Sequence, residues 1–122
     1  MNVTTVDSST TDRVRQILSR ILELATFSGS HELRAQIPLV KVTGGPVTLL
    51  DLTVEGGSPA SAKDGPIPVR AIVGSRSDDP AGELLVWVEG GHFSGLEFAW
   101  FTDDQPQSLP APEDIRVECT QA

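Results

Sequence analysis

Between Thr10 and Ala25 the apolar residues Val14, Ile17, Leu18, Ile21, Leu22 and Ala25 recur every three or four positions. That spacing lines one face of an α-helix. Arg13, Gln16, Arg20 and Glu23 fall on the opposite side. Thr10 or Thr11 supplies a cap, Asp12 sits at the positive end of the helix dipole, and Gly29 suits the stop. Past Gly29 the period shortens towards two. Strands are predicted over 34–42, where Pro38 implies an edge or a bulge, and over 46–55 after Gly44-Gly45-Pro46. In the second of these, Thr48, Leu50, Leu52 and Val54 form the more apolar parity. A further strand is expected over 67–74, with Ile67, Val69, Ala71 and Val73 on one side, and a last short one at IRVE.

The densest apolar pattern runs from Glu83 to Phe101, ELLVWVEGGHFSGLEFAWF, which holds both tryptophans and three of the four phenylalanines. Gly90-Gly91 supplies the positive φ angles of a two-residue hairpin turn. Strict alternation about that turn puts Leu84, Val86, Val88, Phe93, Gly95, Glu97, Ala99 and Phe101 on one face. Leu85, Trp87, Glu89, His92, Ser94, Leu96, Phe98 and Trp100 then share the other. The expected architecture is α+β: one N-terminal amphipathic helix packed on a mostly antiparallel sheet of about five or six strands. Residues 1–9 are polar and rich in Ser and Thr, as expected of a flexible end, and 10–122 suffice for a single α+β domain.

Composition narrows the function more than it names it. Residues 1–45 carry a net +1 and residues 46–122 a net −9, giving −8 for the 122-residue chain. Such a charge repels phosphate backbones and anionic lipid, so neither nucleic acid nor a membrane surface is an expected partner. No apolar run approaches the roughly 20 residues of a membrane span. The first residues lack the basic and apolar regions of a signal peptide, so the expected location is cytoplasmic. The single cysteine, Cys119, excludes an intramolecular disulfide and a cysteine-rich zinc site.

Candidate chemistry centres on Glu97. On the apolar face assigned to it, the carboxylate would be desolvated and would suit a general acid/base or a ligand anchor, or else a structural partner for an arginine such as Arg70. His92 has the other parity, so a His92–Glu97 dyad would require a bulge, for which Gly95 is the candidate. Gly91-His92-Phe93-Ser94-Gly95 places its serine one position late for a nucleophile elbow and lacks the strand–turn–helix setting. The acid pairs Asp78-Asp79, Asp103-Asp104 and Glu113-Asp114 lack calcium-loop spacing, and no glycine cluster is followed by the lysine of a phosphate loop. No metal or cofactor is implied.

The stretch LLVWVEGGHFSGLEFAWFTDDQPQSLPAP resembles a segment of small actinobacterial proteins that reads V-W-V-E-x-G-x-L-S-x-L-E-Y-A-W-x-T-D-E-x-P-x-x-L-P-x-P. Phe93, Phe98 and Asp104 stand where that pattern has Leu, Tyr and Glu. The resemblance covers about the last half of the chain and implies a shared fold but no activity. Together these features point to a non-enzymatic domain that binds another protein or itself. Trp87, Leu96, Phe98 and Trp100 would form the surface, because one helix covers only one face of a sheet. The alternative is a small-molecule pocket or enzyme in which a curved sheet encloses Glu97.

Overall fold

The computed structural model describes residues 8–74 and 79–119. Helix α1 spans Ser8–Leu24 and begins within the stretch expected to be flexible; residues 1–7 of that stretch lie outside the described residues. Its apolar stripe, Val14, Ile17, Leu18, Ile21 and Leu22, is fully buried, as the spacing required. Gly29, at φ 92°, turns the chain into a second short helix, α2, Ser30–Gln36, continued by a 3-10 turn over Ile37–Leu39. This corrects the strand expected over 34–42. Leu33, Gln36 and Ile37 are buried at helical spacing, and Pro38 lies in the opening of the 3-10 turn, where a missing N–H costs nothing.

Among the described residues seven strands follow: β1 Val40–Gly44, β2 Leu49–Val54, β3 Gly65–Pro66, β4 Val69–Val73, β5 Gly82–Glu89, β6 His92–Trp100 and β7 Ile115–Cys119. They form one antiparallel sheet in the order β1-β2-β6-β5-β4-β7, with the two-residue β3 also pairing on β5. The α+β class, with a helix packed on an antiparallel sheet, therefore holds.

The two edges of the sheet, β1 and β7, are both strands that helix α1 touches. Side chains from the polar flanks of α1 reach the backbone of each. Arg15 Nε donates to Val40 O at 2.9 Å, and Thr11 Oγ1 accepts from Val42 N at 3.3 Å. On the other side, Arg20 donates to Ile115 O at 3.1 and 3.3 Å, and Arg13 Nη1 to Pro110 O at 3.3 Å. The sheet thus rolls around α1, and the space between is filled. Leu18, Ile21, Leu33, Leu84, Phe93, Leu96 and Ile115 all have 2% exposure or less. Arg34 of α2 donates to Leu22 O and Ala25 O at 2.7 and 2.9 Å, satisfying carbonyls that the end of α1 leaves unpaired.

The tip of the β5–β6 hairpin is fixed by one buried amide. Gln36 Nε2 donates to Ser58 O and Gly91 O at 2.9 and 2.8 Å, while its Oε1 accepts from Phe93 N at 3.3 Å. Ala60 N also donates to Gly91 O at 2.8 Å. Gly91, at φ 80°, lies so close to this loop that a Cβ would come within 2.8 Å of Ala60 N and O. Removing the amide would leave Gly91 O its bond from Ala60 but strand the buried Phe93 N–H. Gln36→Leu should therefore cost about 1–3 kcal/mol in denaturant unfolding, the range for a buried donor left unpaired. A loss near zero would show that Phe93 N finds another acceptor.

Candidate functional site

The hairpin turn at Gly90-Gly91 (φ 61° and 80°) pairs Glu89 with His92 and Val88 with Phe93, as alternation requires. The next pair is Trp87 with Gly95, so Ser94 has no partner on β5. This β-bulge inserts one residue and reverses the facing of everything after it. Leu84 is opposite Phe98, Leu85 opposite Glu97, and Val86 opposite Leu96.

The consequences correct the sequence expectation at Glu97, Leu96 and Phe98. Glu97 does not lie on the core face; it is half-buried on the outer face, between Leu85 of β5 and Leu49 of β2. Leu96 and Phe98 are not surface residues; at 1% and 4% exposure they belong to the core beneath the helix layer. Trp87 remains on the outer face, half-buried, and so shares a face with Glu97 rather than opposing it. Trp100 has the parity of Phe98 but lies at the far end of β6, opposite Gly82, and is 40% exposed. The two tryptophans are therefore on opposite faces.

On the outer face Trp87 lies across Gly95. A Cβ built on that glycine would sit 3.6 Å from Trp87 Cβ and 3.8 Å from its Cδ1, so the indole covers the strand where a side chain is missing. Its Nε1 donates to Glu97 Oε1 at 3.1 Å. Glu97 is thus the acceptor for an indole rather than a carboxylate set in an apolar cavity. Around this pair lie Leu49, 50% exposed, and the half-buried Leu85 and Ala99. Arg70 Nε meets Glu83 Oε1 at 3.5 Å, and Asp51 is exposed opposite Gly95. Among the described residues no helix or further strand layer packs on this face.

His92 lies at the hairpin tip, with Nε2 3.4 Å from Gly57 O. The bulge brings it to the same face as Glu97, yet no hydrogen bond joins them among the described residues, and Trp87 holds the carboxylate. His31 is exposed on α2. Among the described residues, no three His, Cys, Asp or Glu side chains group as metal ligands. An open cleft of about 810 Å³ lies between the start of α1, the Gly45–Val47 turn and residues 105–109, and a second of about 430 Å³ lies beside Ser61–Lys63. The charged side chains lining them are Arg13, bound to Pro110 O, and Lys63. Among the described residues no helix is long and apolar enough to cross a membrane.

Comparisons with protein-family models, with curated proteins and with solved structures find no match to this chain. The outer face therefore rests on its own geometry.

The bulge is testable through two aromatic truncations. Phe98→Ala should cost about 3–5 kcal/mol, as for a buried phenylalanine, whereas Trp100→Ala should cost distinctly less because its ring is partly in solvent. Chemical unfolding measures both losses. A Phe98→Ala loss below about 1 kcal/mol would contradict the assigned facing, whereas the Trp100→Ala loss reports the exposed end of β6, since both residues share one parity.

Proposed function

We propose that this chain is a non-enzymatic cytoplasmic domain that binds a protein partner through the outer face of its sheet. The observation that carries this reading is a group of Leu49, Leu85, Trp87 and Ala99 on the outer face with no described helix or strand over it, with Glu97 at its centre held by the Trp87 indole and Asp51, Arg70 and Glu83 around it. Exposed aromatic and aliphatic side chains interspersed with paired polar groups suit a protein interface. Trp87 is the natural anchor. Its N–H is already bonded to Glu97, so a partner covering the ring strands no donor, and tryptophan contributes disproportionately to binding when desolvated.

The expected partner presents an apolar patch with basic groups at its margin. Three acids, Asp51, Glu83 and Glu97, stand in this group against one arginine, Arg70, and residues 46–122 carry a net −9. Opposite charge on the partner would steer encounter and set orientation. A small-molecule or enzymatic role for Glu97 inside the sheet lacks support, since the carboxylate faces outwards and the interior is filled. The resemblance to small actinobacterial proteins adds no activity to this reading.

The test compares variants rather than relying on capture alone. A protein retained by the immobilised chain from its source cell would be purified and titrated against wild type, Leu49→Glu and Trp87→Ala. Both substitutions should weaken binding by about tenfold or more, equivalent to about 1.4 kcal/mol. Leu49→Glu sets a second carboxylate opposite Glu97 and should lower stability by no more than about 1 kcal/mol, the scale of a cross-strand pair. Undiminished binding by both variants would move the partner site away from this face.

A further inference from the structure

The two edges of the sheet are not treated alike. On β1, Arg15 occupies Val40 O and Thr11 accepts from Val42 N, so side chains of α1 block the edge at successive outward-facing residues. On β7, among the described residues, only the first such position is occupied. Gly74 N donates to Asp114 O at 2.8 Å, continuing the register in which Val73, Ile72 and Ala71 face Ile115, Arg116 and Val117. Antiparallel pairs alternate between bonded and non-bonded, so Arg116 and Glu118 direct their backbone groups to β4. Ile115, Val117 and Cys119 direct theirs to the free edge, and the Arg20 guanidinium on Ile115 O agrees with that direction. Among the described residues nothing bonds the outward N–H and C=O of Val117.

An unblocked edge is a template for another strand, and the side chains here indicate which one. Arg116 and Glu118 flank Val117 on the outer face, 58% and 48% exposed, and reach each other at 3.5 Å within one chain. We infer that β7 pairs antiparallel with β7 of a second copy of this chain, about a two-fold axis at Val117. In that register the two Val117 residues exchange both backbone hydrogen bonds. Each Arg116 then stands directly opposite the partner's Glu118, and each Glu118 opposite the partner's Arg116. Opposite charges facing across strands favour the pair, and the arrangement is complementary only to itself in the antiparallel sense.

Helix α1 adds an apolar contribution. It runs alongside β7 in the same direction, with Arg13 reaching Pro110 and Arg20 reaching Ile115. Leu24, one turn beyond Arg20, therefore lies towards Val117 on the helix side of the edge, and it is 49% exposed. The two-fold brings the Leu24 residues of both copies to the same side of the joined sheet. Against this stands the charge of −8 on each chain, whose repulsion is screened beyond about 8 Å at physiological salt. The inference uses the edge of the sheet and is independent of partner binding at its outer face.

Analytical ultracentrifugation of the full chain at physiological salt tests it. Wild type should form a dimer that dissociates on dilution. Val117→Pro removes only an outward-facing donor, a substitution edge strands tolerate, and should weaken dimerisation by about tenfold or more with its circular dichroism retained. Should that variant misfold, charge reversal decides. Arg116→Glu alone and Glu118→Arg alone should each weaken the homodimer, because like charges then face across the axis, while an equimolar mixture of the two should recover a heterodimer. A wild type that stays monomeric up to ~0.5 mM, in the weak-affinity range, would overturn the inference. So would a dimer indifferent to all three substitutions, or single-reversal variants that do not recover association when mixed. Leu49→Glu should dimerise as wild type does; its selective loss of the dimer would assign self-association to the outer face instead.

Discussion

The bulge at Ser94 is the constraint from which the arrangement of this sheet follows. One extra residue on β6 lets Val88 and Phe93 face the interior on one side of the bulge, and Leu96 and Phe98 on the other. Without it the second half of β6 would present Glu97 to the core and leave two large apolar side chains outside, each worth about 1.5–3 kcal/mol of burial. The bulge also bends the hairpin tip away from β2, which pairs with β6 only from Gly95 to Glu97. The tip then reaches α2, where Gln36 binds Gly91 and Phe93 on either side of His92.

Helix α1 closes the roll that this hairpin begins. Its buried stripe fills the concave side, and its flanking arginines bind the backbone of both edge strands, so the helix acts as filler and as clasp. Glu97 lies on the other side of the sheet from this core. The surfaces available for association are those the helix does not reach: the convex side of the sheet around Trp87, and the stretch of β7 beyond Arg20. They differ in kind. The first offers apolar area interspersed with polar groups, and the second offers backbone pairing with a self-complementary charge pattern.

Much of this was legible in the sequence. The α1 stripe and the inward parities of β2 and β4 follow from periodicity and are buried, save that Val54 and Val69 are half-buried, and the Gly90-Gly91 turn forms with both glycines at positive φ. The second helix is not legible because SHELRAQ is short and polar, with too few apolar residues to display a period, and Pro38 fits an edge strand as well as it fits the start of a 3-10 turn. The facing of Glu97 failed for a different reason. Strict alternation placed a carboxylate in the core and tryptophan, leucine and phenylalanine outside, a conflict that a bulge beside Gly95 removes in one step. The signal was that conflict itself: a charged residue on the better apolar face, next to the glycine that permits a change of register. The unequal treatment of the two edges has no counterpart in the pattern, because it depends on which arginines reach which carbonyls across about 25 and 95 residues of chain.

The register of the β5–β6 hairpin is the claim on which the rest turns, and interstrand NOEs measure it directly. Phe101 N donates to Ala81 O at 2.8 Å and Phe98 N to Thr48 O at 2.9 Å, which makes the Leu84–Phe98 and Val86–Leu96 pairs non-hydrogen-bonded. In such pairs the Cα atoms approach to about 4.5 Å and the Hα atoms face each other. The bulged hairpin therefore predicts strong Hα–Hα cross-peaks between Leu84 and Phe98 and between Val86 and Leu96. Cross-peaks from Leu84 to Glu97 and from Val86 to Gly95 would instead show an unbroken register, return Glu97 to the core face, and contradict the account.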